Sequence, residues 1–274
     1  MTHMHVETIK LWASAPPAAL SGSVAEPTLE IYRLPGELAR GAVLVCPGGG
    51  YGRRAPHEQA PIAQRYNAAG FHAFVLQYRV APHRHPAPLL DAARALRLIR
   101  SNAGRWHVQP DQVAVCGFSA GGHLAASLGV HFDLAVLDQE DPLDALSCCP
   151  DALILAYPVI TSGPLAHRGS FENLLGPDPD TAALTLMSLE KQVTSETPPT
   201  FLWHTAEDAS VPVENSLLFA AALSQHRVPF ELHVYTRGAH GLGLAESQPR
   251  AASWMGLSIS WLEEQGWSGG QNGH

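Results

Sequence analysis

Short apolar runs alternate with helical patterns along most of the chain, and this alternation limits the possible folds more than any other feature. The central runs are continuously apolar, which is typical of strands that are covered on both faces. Strands separated by helices of roughly 10 to 15 residues favour a mostly parallel sheet with helices on both sides. The sequence therefore predicts an α/β fold.

The pattern predicts the following elements. The strands are Val6–Trp12, Thr28–Leu34, Gly41–Cys46, Phe71–Tyr78, Gln112–Gly117, Ala152–Tyr157, Thr200–His204 and Phe230–Tyr235. The helices are Pro56–Ala69, Pro88–Asn102, Ala120–His131, Val213–Gln225 and Ala251–Glu264. Ligands of such sheets bind at the carboxyl ends of the strands, so functional residues are expected in the loops that follow them.

The length and the pattern predict one domain over residues 1–266. Within it, residues 161–199 interrupt the alternation with loop and short helix, and we interpret them as a small lid-like insertion. Residues 267–274 are short and polar, and we expect them to form a mobile tail.

Composition and charge exclude several classes of protein. With 17 Lys and Arg against 25 Asp and Glu, the net charge is −8, which argues against a nucleic-acid partner. No run of about 18 apolar residues suggests a membrane-spanning helix. The first residues lack the basic and apolar regions of a signal peptide, so we expect a cytoplasmic protein. Self-association is left open.

The chain has four cysteines: Cys46, Cys116, Cys148 and Cys149. None is in a C-x-x-C spacing, and reduced, structural thiols are the simplest interpretation. A disulfide between the adjacent Cys148 and Cys149 is an alternative.

A Gly-x-Ser-x-Gly pattern around Ser119 lies between the predicted strand Gln112–Gly117 and the predicted helix Ala120–His131. In this context the pattern is typical of a nucleophile elbow, whose small neighbours let the chain turn sharply and expose the hydroxyl. We therefore predict that Ser119 is a nucleophile. The backbone N–H of Ala120, at the start of the helix, is a candidate donor to an oxyanion.

Three successive glycines, from Gly48 to Gly50, directly follow the predicted strand Gly41–Cys46. Because glycine has no Cβ, a ligand oxygen can approach the backbone N–H groups closely. An oxyanion hole requires such donors. A flexible turn is the alternative.

A serine nucleophile needs a neutral base that is oriented by an acid. Asp208, just past the predicted strand Thr200–His204, is the candidate acid, and the adjacent Glu207 is a weaker candidate. His240, in a glycine-flanked loop after the predicted strand Phe230–Tyr235, is the candidate base. Taken singly, either residue could be structural; together, each following a strand, they favour catalysis.

Other polar residues receive structural interpretations. His57 and Glu58 begin an H-E pair, but Pro61 stands where the second histidine of a zinc-binding H-E-x-x-H would be. We expect Glu58 to favour the start of a helix electrostatically. We expect His204 to bond to the backbone, with contact to the site as the alternative. We expect Arg79 to organise loops through hydrogen bonds rather than to contact substrate.

Six motifs resemble a known family. They are PGGGY, LQYRVAP, WHVQPDQVAVCGFSAGGHLAA, AYPVIT, TPPTFLWHTAEDASVPVENS and GAHGLGLA, and together they run in order from about Val43 to Ala245. They are similar to the α/β-hydrolases of the acetyl-xylan-esterase and feruloyl-esterase-like group, relatives of the hormone-sensitive-lipase family. Pro47 stands where the wider lipase family has the histidine of H-G-G-G, and the esterase-like group itself uses the proline form.

The resemblance implies an α/β-hydrolase fold, with Ser119 as nucleophile, Asp208 as acid and His240 as base. It also implies oxyanion donors at the backbone of Gly49, Gly50 and Ala120. A reaction by these groups needs no metal or organic cofactor, and we expect none.

We expect a serine carboxylesterase that acts on short acyl groups of sugars, most simply acetyl groups on xylo-oligosaccharides. Its partner is then an oligosaccharide or small-molecule ester. The preference for short acyl groups follows from the small insertion, which leaves little material for a deep acyl tunnel. A general short-chain carboxylesterase, a feruloyl esterase, an arylformamidase-like amide hydrolase and a non-catalytic ligand-binding protein are the alternatives.

Overall fold

One eight-stranded sheet organises the chain. The computed structural model describes residues 6–20, 25–134 and 141–267. The strands are β1 (Glu7–Lys10), β2 (Thr28–Tyr32), β3 (Arg40–Cys46), β4 (His72–Gln77), β5 (Val108–Phe118), β6 (Ala152–Ala156), β7 (Thr200–Thr205) and β8 (Phe230–Tyr235). Their order is β1-β2-β4-β3-β5-β6-β7-β8. Strand β2 is antiparallel to β1 and β4, and the pairs from β4 to β8 are parallel.

Helices cover both faces of the sheet. They are α1 (Ala60–Ala68), α2 (Ala87–Ser101), α3 (Ala103–Trp106), α4 (Ala120–Val130), α5 (Arg168–Leu175), α6 (Thr181–Leu186), α7 (Glu214–Gln225) and α8 (Trp254–Glu264). Buried residues of α2, α4 and α7 belong to one core layer, and those of α1 and α8 belong to the other. The predicted mostly parallel α/β sheet is confirmed.

Strand β3 shows why the central runs are apolar throughout. Ala42, Leu44 and Cys46 point into one layer of the core, whereas Val43 and Val45 point into the other. All five side chains are fully buried, because side chains of a strand alternate between two covered faces.

Many element ends lie one to three residues from the predicted bounds, and three differences are larger. Strand β5 begins at Val108 instead of Gln112, because its first residues are partly exposed and carry no continuous apolar signal. The predicted helix Pro56–Ala69 is divided into a 3-10 turn, Pro56–Glu58, and α1. The short helix α3 has too few residues to show a period.

The insertion, residues 161–199, consists of α5, α6 and a 3-10 turn at Leu189–Lys191. Two histidines of the α4 region bind it: His123 Nε2 lies 3.0 Å from the carbonyl of Met187, and His131 Nε2 lies 2.9 Å from the carbonyl of Leu186. The insertion therefore rests on α4, close to the turn that carries Ser119.

The end of the chain differs from the predicted tail at one residue. Trp267 is only 6% exposed and packs in the same core layer as α8, because burying an indole ring removes a large apolar area from water. Residues 268–274 lie outside the described residues, so the rest of the predicted tail, like the limits of the domain, stays a prediction.

All four cysteines are free thiols, and the adjacent Cys148 and Cys149 are not joined. Burial raises the pKa of both Cys46 and Cys116. Within the described ranges, none of the helices has the length and apolar character needed to cross a bilayer.

Candidate active site

Ser119 lies in the sharp turn between β5 and α4. It is a non-glycine residue with φ of +52°, a conformation that costs of order 1–3 kcal/mol and is typical of functional sites. The glycines on either side are required by packing. A Cβ on Gly117 would lie 2.2 Å from the carbonyl oxygen of Gly121, and one on Gly121 would lie 2.1 Å from that of Cys46. Close approach of backbone segments therefore holds the turn that carries Ser119.

The predicted nucleophile, base and acid form one hydrogen-bonded chain. Ser119 Oγ lies 2.8 Å from His240 Nε2, and His240 Nδ1 lies 2.6 Å from Asp208 Oδ2. The ionised acid accepts the proton of Nδ1, which leaves Nε2 as an acceptor for the serine hydroxyl. The arrangement can activate the oxygen of Ser119.

Asp208 is held as a carboxylate. Its Oδ1 accepts the backbone N–H groups of Ser210 and Val211, at 3.0 and 2.9 Å. Burial by itself raises the pKa of Asp208, but hydrogen bonds from His204, His240 and the backbone outweigh it, so the pKa lies well below its usual range. The acid therefore stays charged at neutral pH.

Glu207 and His204 lie near Asp208 and make further contacts of their own. Glu207 is exposed, and its Oε2 accepts the N–H of Gly238 at 3.2 Å instead of approaching His240. His204 bonds to the carbonyl of Val211 at 2.9 Å, as expected for a strand-end histidine. Its Nε2 also lies 3.4 Å from Asp208 Oδ2, so His204 contacts the site as well as the backbone.

The glycine loop lies beside this chain. Gly49 and Gly50 have positive φ angles of +126° and +64°, and a Cβ on Gly49 would lie 2.3 Å from the carbonyl oxygen of Arg53. Among the described residues, no acceptor binds the backbone N–H groups of Gly49, Gly50 or Ala120. These groups are therefore free to donate to an added oxygen.

The insertion contributes a wall that the sequence did not reveal. Asn173 on α5 donates from Nδ2 to the carbonyl of Gly50 at 2.8 Å. His167 Nδ1 contacts Ser170 Oγ at 2.9 Å and caps α5, while its Cε1 lies 4.0 Å from the position of a Cβ on Gly50. Burial and the nearby His240 lower the pKa of His167.

Glu58 is the clearest correction to the sequence reasoning. It does not simply favour the start of a helix: its side chain is 2% exposed and accepts the N–H of Gly48 at 2.7 Å. An acidic residue ten positions after Gly48 was the only sequence signal, and the electrostatics of a helix start explained it equally well. Arg79, by contrast, organises loops as expected, bonding Asp91 and the carbonyl of Pro17.

No group of three or more His, Cys, Asp or Glu side chains in the described ranges is arranged to hold a metal ion.

The sheet order and the strand–turn–helix at Ser119 are those of an α/β-hydrolase. The chain belongs to the BD-FAE family, whose model matches residues 29–223. The resemblance to the acetyl-xylan-esterase and feruloyl-esterase-like α/β-hydrolases is thereby confirmed.

Individual relatives agree with this family. The chain is 43% identical over 226 residues to endo-1,4-beta-xylanase B of Butyrivibrio fibrisolvens, covering 81% of this chain and 35% of that protein. It is 30% identical over 208 residues to acetylxylan esterase of Xylanibacter ruminicola, covering 74% of this chain and 41% of that protein. The chain thus spans less than half the length of these two curated relatives.

A solved structure matches over nearly the full length. The acetyl ester-xyloside bifunctional hydrolase from Caldicellulosiruptor lactoaceticus superposes with a TM-score of 0.92 and 46% identity, covering 96% of this chain and 97% of that one.

Proposed function

We propose that this chain is a serine carboxylesterase that removes short acyl groups, chiefly acetyl, from xylo-oligosaccharides or related sugars. The observation that carries the proposal is the hydrogen-bonded chain from Ser119 through His240 to Asp208, beside backbone N–H groups that have no acceptor among the described residues. The names of the relatives support the same class of substrate.

In the first half of the reaction Ser119 Oγ attacks the ester carbonyl carbon while His240 Nε2 takes the hydroxyl proton. The carbonyl oxygen becomes an oxyanion, which accepts hydrogen bonds from the N–H groups of Gly49, Gly50 and Ala120. The bond between the carbonyl carbon and the sugar oxygen then breaks, and His240 gives its proton to that oxygen. The sugar leaves with a free hydroxyl group.

In the second half water attacks the acyl-serine. His240 takes a proton from the water, the same N–H groups bind the second oxyanion, and the bond to Ser119 Oγ breaks as His240 returns the proton to it. Acetate leaves, and the carboxylate of Asp208 stabilises the imidazolium of His240 in both halves. None of these steps requires a metal or an organic cofactor.

Two features of the insertion support a short acyl group and a polar alcohol. Its helices have only eight and six residues, and it is tied down to α4, so it forms a low wall instead of a tall cap. His167 Nε2 has no hydrogen-bond partner among the described residues, while its Nδ1 contacts Ser170. An N–H at Nε2 beside the glycine loop suits a sugar hydroxyl.

The test compares the wild type with Ser119→Ala on acetylated xylo-oligosaccharides and on nitrophenyl acetate, butyrate and octanoate. Loss of the nucleophile should lower kcat by about 10⁴ to 10⁶ without unfolding the protein. Ser224→Ala, an exposed serine on α7, is the matched control and should retain full activity.

Each alternative predicts a different result. Cleavage of nitrophenyl acetate without release of acetate from the sugar would leave a general short-chain carboxylesterase. Faster cleavage of methyl ferulate or of an aryl formamide would favour those substrates instead. A Ser119→Ala variant as active as the wild type would overturn the whole assignment.

The cytoplasmic location and self-association also belong to this proposal. The four free thiols favour a reducing compartment. Cell fractionation of the native host and light scattering of the purified protein test the two points.

A further inference from the structure

A buried carboxylate that the proposed reaction does not use lies behind the glycine loop. Glu58 is 2% exposed, and both of its oxygens accept short hydrogen bonds. Oε2 accepts the backbone N–H of Gly48 at 2.7 Å, and Oε1 accepts the hydroxyl of Tyr157 at 2.7 Å. Burying a charge is costly unless it is paired or hydrogen-bonded, so these two bonds are what keep the carboxylate in this position.

Tyr157 extends the contact to the loop that carries the base. Burial and the adjacent Glu58 raise the pKa of Tyr157 well above its ordinary value, so the hydroxyl keeps its proton and donates it to Glu58. The same hydroxyl accepts the backbone N–H of Gly243 at 2.8 Å. The ring of Tyr157 lies edge-on to the ring of His240, with 5.1 Å between centroids and 70° between planes.

Gly48 is closely packed between Glu58 and Ser119. A Cβ on Gly48 would lie 2.8 Å from Glu58 Oε2 and 3.0 Å from the Cβ of Ser119, so this glycine lies between the carboxylate and the nucleophile. The next two residues are the oxyanion donors Gly49 and Gly50. A shift of the Gly48 N–H would therefore move those donors relative to Ser119.

We propose that Glu58 is a positioning residue for ester hydrolysis, joining the oxyanion loop through Gly48 to the His240 loop through Tyr157 and Gly243. The inference rests on the proposed function. Exposed His57, the neighbour of Glu58 in the 3-10 turn, also contacts the His240 loop, because its Nε2 lies 2.9 Å from the carbonyl of Gly241.

The chemistry of the link demands a carboxylate. Both partners, the N–H of Gly48 and the O–H of Tyr157, are donors, so the side chain between them must accept at both oxygens. Glutamine has the same shape but replaces one acceptor with an NH₂ group. Facing Gly48, this group places a donor against the backbone N–H; facing Tyr157, it donates to the hydroxyl oxygen and leaves the hydroxyl proton without its acceptor. Glu58→Gln therefore breaks one side of the link at almost constant volume.

The first experiment measures kcat and KM of Glu58→Gln on nitrophenyl acetate. Removing a whole oxyanion donor costs about 10² to 10³ in kcat, and displacing the donors costs less, so we expect a fall of about 10- to 100-fold. KM should stay within about threefold, since the contact acts on the transition state. Glu37→Gln, an exposed glutamate, is the matched control.

A second variant separates positioning from folding. Tyr157→Phe keeps the ring against His240 but removes the hydroxyl, and it should also lower kcat. If both residues act through one link, the double variant should lose no more than about threefold beyond the worse single variant. Losses that multiply would overturn the inference.

Titration of the reactive serine with a fluorophosphonate then gives kcat per active site. A merely structural role would reduce the number of titratable sites and leave kcat per site at the wild-type value, which would overturn the inference. Should Glu58→Gln be insoluble, Tyr157→Phe decides: a loss below threefold per site refutes the link, and a larger one supports it. Wild-type turnover and its loss in Ser119→Ala test the proposed function separately.

Discussion

The serine turn, residues 117–122, and the glycine loop, residues 47–51, lie side by side but are held in different ways. Backbone packing holds the serine turn, where Gly117 and Gly121 each approach a carbonyl too closely for any Cβ. The glycine loop also packs through its backbone, since a Cβ on Gly49 would lie 2.3 Å from the carbonyl oxygen of Arg53, but side chains add to this packing. Glu58 binds Gly48, and Asn173 of the insertion binds Gly50. The comparison teaches that backbone packing positions the nucleophile, whereas the oxyanion donors depend in addition on side-chain contacts that can be removed one at a time.

Gly121→Ala should have the largest effect on stability. A mild effect would show that backbone packing does not hold the serine turn. The added Cβ would lie 2.1 Å from the carbonyl oxygen of Cys46 and 2.5 Å from that of Pro47, so the backbone must move. We expect a loss of about 3–5 kcal/mol in the free energy of unfolding, measured by urea denaturation.

The control for this change is Gly256→Ala in α8, where a new Cβ would meet no atom within 4 Å. Because alanine is the better helix former, this variant should gain up to about 1 kcal/mol. Equal losses in the two variants would mean that helix propensity, and not packing of the serine turn, decides the outcome.

Acid should have the second-largest effect, because it lowers the stability of the folded protein through a buried histidine that binds the glycine loop. His123 is fully buried, with Nδ1 2.9 Å from the hydroxyl of Tyr51, and burial lowers the pKa of His123 to about 4. Because the unfolded chain binds this proton at a higher pH than the folded one, stability falls as the pH drops from about 6.5 toward 4. Each such histidine contributes up to about 1.4 kcal/mol per pH unit.

Urea denaturation between pH 7 and pH 4 measures this slope. His123→Gln should flatten it in part, and the remainder belongs to other groups such as His72, whose pKa burial lowers to about 4 as well. Parallel stability curves for the wild type and His123→Gln would show that His123 does not titrate with unfolding.

Asn173→Ala should have the smallest effect, and it tests one side-chain contact of the glycine loop by itself. It removes the hydrogen bond from Nδ2 to the carbonyl of Gly50, which lies at the end of the glycine loop. We expect kcat on nitrophenyl acetate to fall about tenfold, which corresponds to about 1.4 kcal/mol of transition-state stabilisation, with little change in the unfolding midpoint. Glu172→Ala, the exposed neighbour on α5, is the control. A large loss of stability with unchanged kcat would contradict this interpretation.

Much of the fold and the site could be predicted from local patterns. The continuous apolar run of β3 indicated a strand buried on both faces, and both core layers receive its side chains. Ser119, Asp208 and His240 each follow a strand in the sequence, and the parallel sheet brings those strand ends to one edge. The exposed start of β5 and the short helix α3 were missed because neither carries a periodic apolar signal.

The sequence by itself determined the type and order of the elements and the residues able to act as nucleophile, base and acid, because these signals are local or repeat at a fixed period. Only the tertiary structure decided what supports them. Glu58 meets Tyr157 from 99 positions away, and Asn173 reaches Gly50 from 123 positions away. No local pattern specifies such contacts, since they depend on which loops the sheet order places together. For the same reason the carboxylate of Glu58 resembled a helix-start residue in the sequence and is a buried double acceptor in the folded protein.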